Sequence, residues 1–197
     1  MSRPLAIAAA SLALVACTRT VEVLVTPSAT PSAAPTTPPP GSTFVEARGV
    51  RLAVPEDWHP IGDGAPTGGA TLVLAYSPDD DSFLTLQRFE VLLNVSADRL
   101  DDVRPQLVEL LRTTAAEVGG EILEPLSLEE TAGFPGFVAK LSITTPNGNA
   151  AEELLYLFFD ETNEYTLACA YTPETFDDVT TACEVARSTL TAVSPFA

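Results

Sequence analysis

The chain has 197 residues, 27 of them acidic against 10 basic, and a formal charge of −17. Such an acidic body is repelled by nucleic acid and by anionic headgroups, which excludes both as partners for its bare surface. The length suits one domain plus a tether and is too short for two ordinary domains. The hydrophobic share of 46% supports a real core, although an apolar start inflates it.

Behind a basic tip at Arg3, an apolar run begins at Leu5 and ends in Leu14-Val15-Ala16-Cys17. A charged tip, a short apolar core and small residues before a cut site make a secretory signal over 1–16, too short for a stable membrane span. The last four residues resemble the lipobox of bacterial lipoproteins: Leu, a small or β-branched residue, Ala or Gly, then Cys. The resemblance implies that the signal is cut before Cys17 and that its sulfur carries a diacylglycerol, with palmitate-like chains seated in the outer face of the cell membrane. Each buried methylene contributes about 0.8 kcal/mol and a single chain holds only marginally, so two or three chains anchor the protein without a transmembrane helix.

With Cys17 lipidated, Cys169 and Cys183 remain as an even pair in an oxidising setting, and a disulfide is expected between them. The alternative is two buried free thiols. A zinc site fits less well, because two cysteines and one distant histidine do not supply four ligands at useful spacing.

Residues 17–43 form the lipidated start and a tether. From Thr26 to Thr43 there are six prolines and no charge, a composition that cannot bury a core and reads as a disordered, partly polyproline tether. Extended at about 3.1 Å per residue, this stretch reaches about 55 Å, and as a coil nearer 25 Å.

The folded domain is expected over 44–197. Val45 to Val54 reads as two short strands about an Arg48-Gly49 turn, closing in Pro55-Glu56-Asp57-Trp58-His59-Pro60. Gly62 to Gly69 is a loop, and its Gly62-Asp63-Gly64 lacks the strand-to-helix setting of a phosphate site. Thr71 to Tyr76 and Phe83 to Leu93 are strands on either side of an Asp79-Asp80-Asp81 turn. Leu100, Val103, Leu107, Leu110 or Leu111, Thr114 and Val118 recur at helical spacing. Pro105 is disfavoured inside a helix, so the main helix is expected to start there, after a separate turn over 96–102, and to stop at Gly119-Gly120.

Strands follow near 121–130, 136–145 and 151–159, with Pro146-Asn147-Gly148-Asn149 as a hairpin turn. In the third, Leu154, Tyr156 and Phe158 alternate with Leu155, Leu157 and Phe159, so both faces of that strand must be covered. Asp160 to Glu164 turns the chain into a last strand over Tyr165–Tyr171. A helix follows Thr172-Pro173, with Phe176, Val179, Cys183, Ala186, Leu190 and Val193 as its apolar stripe. Cys183 on that stripe and Cys169 on the last strand would then staple helix to sheet. The fold class is α+β, an antiparallel sheet of about six strands sandwiched by helices.

The run Val50-Arg51-Leu52-Ala53-Val54-Pro55-Glu56-Asp57-Trp58, a strand closing in a Pro-x-x-Trp turn, resembles the opening of the PsbP-like superfamily. The ending is similar too: two hairpin strands, Tyr171-Thr172-Pro173-Glu174, then an amphipathic helix. With the lipobox and the Thr/Pro tether, the chain resembles LpqN/LpqT-type lipoproteins of actinobacteria over roughly 44–193. The resemblance implies a PsbP-like α-β-α sandwich used as a non-catalytic binding or scaffold module of the cell envelope, linked to envelope lipid export. It supplies no catalytic residues.

From the residues themselves, an enzyme finds little support. His59 is a turn residue beside a core tryptophan, no Gly-x-Ser-x-Gly elbow exists, and a disulfide removes the thiols. Asp79-Asp80-Asp81 lacks the alternating ligands, glycine and closing Glu of a calcium loop. No cofactor or metal is expected. Trp58, Phe134, Phe137 and Tyr156, with Phe83 and Phe158, are candidates to line an apolar ligand groove, although aromatics at strand spacing also make plain core. Expected partners are the membrane, through the acyl chains, and an envelope protein or lipid, with the domain a monomer and no nucleic acid bound. Scaffold and lipid carrier stay open, and a hydrolase with an unrecognised site is a third reading.

Overall fold

A computed structural model describes residues 35–61, 71–90, 95–160 and 163–192. Cys17, the signal-like run, most of the tether, the Gly62 to Gly69 loop and Val193 lie outside the described residues.

The element that fixes the architecture is a strand with no polar face. Ala150–Asp160 buries Leu155, Leu157 and Phe159 toward one side, and Tyr156 and Phe158 toward the other. It must therefore be central and covered twice. In chain order the strands are β1 (Ser42–Ala47), β2 (Val50–Pro55), β3 (His59–Pro60), β4 (Thr71–Ser77), β5 (Phe83–Glu90), β6 (Ile122–Leu128), β7 (Gly136–Thr144), β8 (Ala150–Asp160), β9 (Asn163–Tyr171) and β10 (Thr191–Ala192). Seven of them form one sheet in the order β3-β4-β5-β9-β8-β7-β6, with every neighbouring pair antiparallel. The six long strands match the sequence reading, and a two-residue edge strand at His59–Pro60 makes the seventh.

The opening hairpin does not join that sheet. β1 and β2 are linked by Arg48 and Gly49, both at positive φ (50° and 79°), the backbone of a two-residue turn that matches strand twist. With β10 they make a separate three-stranded sheet. The end of the tether, expected to be disordered, is instead held against it: Ser42 and Thr43 in β1 pair with Pro55 and Val54, Arg51 Nη2 donates to the Pro35 carbonyl at 2.8 Å, and Ser42 Oγ to that of Pro39 at 2.7 Å.

Helix α1 spans Leu100–Glu117, five residues earlier than Pro105 predicts, and the preceding turn shrinks to a 3₁₀ turn over Ala97–Arg99. An interior proline costs about 3 kcal/mol. Burying a Leu or Val side chain returns about 1.5–3 kcal/mol, and Leu100 and Val103 are both buried on this first stretch, which offsets the proline. The helix ends as its glycines predict. Gly119 sits at φ +71°, with its N–H on the Ala116 carbonyl (3.2 Å) and that of Gly120 on Ala115 (2.8 Å), a Schellman close.

Helix α2 spans Phe176–Thr189, after a turn in which the Thr175 N–H donates to the Thr172 carbonyl at 3.2 Å. Val179, Ala182, Cys183 and Ala186 are its buried stripe. Phe176, expected on that stripe, is 46% exposed and lies edge-on to Tyr171 instead. Cys183 is bridged to Cys169 in β9, with Cα atoms 6.1 Å apart and both side chains buried, so the helix is covalently fixed to the sheet.

Two apolar layers result. One lies between α1 and the sheet, around Leu107, Leu111, Phe137, Leu141, Leu157 and Phe159. The other lies between the sheet and α2 with the β1–β2 hairpin, around Leu52, Trp58, Leu84, Phe158, Leu167 and Val179. Among the described residues, no helix is long and apolar enough to cross a membrane.

Candidate functional site

The four aromatics proposed for a ligand groove do not meet. Phe137 is fully buried in the α1 layer, whereas Trp58, Phe134 and Tyr156 belong to the α2 layer. The parity of β7 and β8 enforces the split, because Phe137 opposes Leu157 while Tyr156 opposes Val138 on the other face. Phe83 likewise faces the α1 layer. Phe134 precedes β7, so alternation along the strand cannot place it. A left-handed turn at Ala132 and Gly133 folds it over Phe158, 6.1 Å between ring centroids, and Phe158 in turn stacks on Tyr165 at 5.2 Å. The crevice beside this stack, lined by Val50, Phe134, Phe158, Asp160, Tyr165 and Leu190, holds only about 10 Å³.

At one end of the sheet the two hairpin tips are tied together. Asp79 Oδ1 accepts from the N–H groups of Asp81 (2.8 Å) and Ser82 (2.7 Å), shaping the β4–β5 turn. The Asp81 carboxylate crosses to the β7–β8 turn, where it accepts from Thr145 Oγ1 (2.6 Å), Asn149 Nδ2 (2.8 Å) and Asn147 Nδ2 (3.0 Å). The Thr145 hydroxyl, helped by the two amides and opposed by burial, holds Asp81 below the usual carboxylate range. An open depression of about 660 Å³, lined by Asp79, Asp80, Asp81, Asn149, Glu174 and Thr175 among others, lies beside this clamp. The acidic run is thus a structural tie. Among the described residues, no three His, Cys, Asp or Glu side chains are grouped to hold a metal.

His59 is exposed on β3, opposite Ser77. The Ser77 hydroxyl is engaged with the carbonyls of Asp79 and Ser82, so this pair offers no activated serine.

The sheet face beside α2 is more mixed. Lys140 Nζ lies 2.6 Å from Glu152 Oε2, which also accepts from the Tyr171 hydroxyl at 3.1 Å. The Glu152 contact raises the Lys140 pKa, and the Lys140 contact lowers that of Glu152, so both stay charged. Further along, the Arg187 guanidinium sits 5.2 Å over the Tyr156 ring and pairs with Glu129 (2.7 Å) and Glu184 (2.9 Å). Val138 and Leu154 lie half-buried on this face of the sheet. Paired charges thus lie beside half-covered apolar side chains on this face.

One residue escapes sequence reading altogether. Glu164, placed by sequence in the turn before the last strand, is inside β9, which begins at Asn163. It is fully buried on the α1 side, neither carboxyl oxygen has a partner, and burial pushes its pKa up to about 8. A lone glutamate near a turn carries no signal for burial.

No family model and no curated protein matches this chain. Among solved structures, the solution structure of cyanobacterial PsbP (CyanoP) from Synechocystis sp. PCC 6803 is similar over 82% of this chain and 98% of its own, with a TM-score of 0.56 and 13% identity. LpqN, involved in cell envelope biogenesis of Mycobacterium tuberculosis, aligns over 76% of this chain and 89% of its own at a TM-score of 0.47 and 16% identity. A protein of unknown function from Pseudomonas aeruginosa aligns over 76% and 96% at 0.44 and 13% identity. The likeness to CyanoP gives this α+β chain a PsbP-like fold.

Proposed function

We propose that the protein is an exported lipoprotein, anchored at Cys17, whose PsbP-like domain binds an envelope protein through its surface and carries out no chemistry of its own. The small volume of the apolar crevice at Phe134 carries this reading. A lipid carrier needs a cavity of roughly 300 Å³ or more, and the apolar crevice at Phe134 holds about 10 Å³. The lipobox pattern and the uncharged Pro/Thr/Ser tether support the anchor, and the mixed face beside α2 supports surface recognition over ligand storage.

Detergent phase partition of the wild-type chain against Cys17→Ser, expressed in a bacterium that processes lipoproteins, tests the anchor. The wild type is expected in the detergent phase and the variant in the aqueous phase. Native mass spectra of the Cys17→Ser chain, before and after organic extraction, separate scaffold from carrier. A bare mass, less the two hydrogens lost to the disulfide, supports the scaffold. Added mass that leaves with solvent would replace it with lipid carriage.

A further inference from the structure

We propose that Glu164 is a pH-operated latch: in its neutral form the α1 layer closes over the sheet, and its ionisation loosens that layer. Glu164 lies in β9 between Phe89 of β5 and Phe159 of β8, both buried in the α1 layer. It is 0% exposed and neither oxygen has a hydrogen-bond partner. Thr166, next along the same face, is also buried with its hydroxyl unpartnered, and Gln87 opposes it. A buried polar cluster left unpaired is tolerated only while uncharged.

The charges around the cluster do not neutralise it. On β5, Arg88 and Glu90 alternate with Gln87 and Phe89 and so take the other face. On β8, Asp160 alternates with Phe159 in the same way. Ahead of and within the first turn of α1, Asp98 accepts from Ser96 (2.6 Å) and Arg99 pairs with Asp102 (3.4 Å). Among the described residues, Arg104 is a cation facing this layer, and it lies 5.0 Å over the Phe137 ring and 3.3 Å from Asp101. Glu153, half-buried on the same face, is itself shifted upward by burial and adds a second group of the same kind. Burial alone sets the Glu164 shift, with no charge contributing.

The sign follows from linkage. A free glutamate titrates near 4.5 and this one near 8, so between those values the folded chain keeps a proton that the unfolded chain has lost. Stability is therefore greatest on the acid side, falls as pH rises through that window, and levels off above it. The proton leaves the carboxyl O–H for water, and the carboxylate that remains has no partner unless the layer opens.

Urea unfolding of the full-length chain at about pH 5 to 9, for the wild type, Glu164→Gln and Glu164→Met, tests the latch. The wild-type unfolding constant is expected to rise up to tenfold per pH unit relative to either variant, reaching about 10³-fold by pH 8. Binding of a hydrophobic dye should rise over the same range in the wild type only. Parallel curves for wild type and variants would overturn the proposal. Should neither variant fold, the carboxyl carbon resonance of Glu164 in the wild-type chain decides: a midpoint above about 6.5 supports the latch, and one below it sinks the idea.

Discussion

Gly136 opens β7 opposite Phe158 of β8, with the β8 backbone crowding its Cα. A methyl group there would fall 2.1 Å from the Leu157 carbonyl oxygen and 2.8 Å from the Phe158 Cα, distances no rotamer can relieve. Glu129 N–H donates to the Gly136 carbonyl on the other side at 3.1 Å, so the strand cannot move away freely. Gly136→Ala is expected to cost about 3 kcal/mol or more, as overpacking of a tight site does, and urea unfolding measures it. Phe134-Pro135-Gly136 reads in the sequence as a small structural step before a strand, and that much was legible. Which backbone approaches it was not, because the partner lies more than 20 residues away.

At the scale of elements, α2 depends on its link to β9. Cys169 is expected beside Leu167 and Tyr171 by alternation, and Cys183 falls on the helical stripe, so the staple was readable from two independent periods. Closing a loop of this length contributes about 3 kcal/mol in the chain-entropy model. Cys183→Ser should lower the unfolding free energy by about that amount, with a matching loss when the wild type is reduced; an unchanged denaturation midpoint would show the bridge contributes nothing. The start of α1 sets a local signal against a tertiary one. Pro105 is a local signal against a helix, whereas the burial of Leu100 and Val103 against the sheet is a tertiary gain. The tertiary gain is the larger. Phe176 departs the other way, since it lies edge-on to Tyr171 and stays half in solvent.

For the whole molecule, the two layers share β8 and β9, whose side chains enter both. Neither layer can open fully without stripping one face of those strands. Trp58 reports on the α2 layer, while far-UV circular dichroism reports on helices and strands throughout. The two signals are expected to give coincident urea transitions, the behaviour of a single cooperative unit. A fluorescence midpoint well separated from the dichroism midpoint would mean that the layers unfold independently.

By itself the sequence determined where the six long strands run, the turns at Arg48-Gly49 and Asn147-Gly148, the glycine close of α1, the two-faced strand and hence a sheet covered on both sides. These are local: each follows from the sterics of a few neighbouring residues or from alternation along one segment. Only the tertiary structure decided that the opening hairpin pairs with β10 outside the main sheet, that Phe137 parts from Trp58, Phe134 and Tyr156, that Asp81 ties two distant turns, and that Glu164 is sealed without a partner. Each of these depends on which segments come to lie side by side, and that is set by the combined burial of residues far apart in the chain.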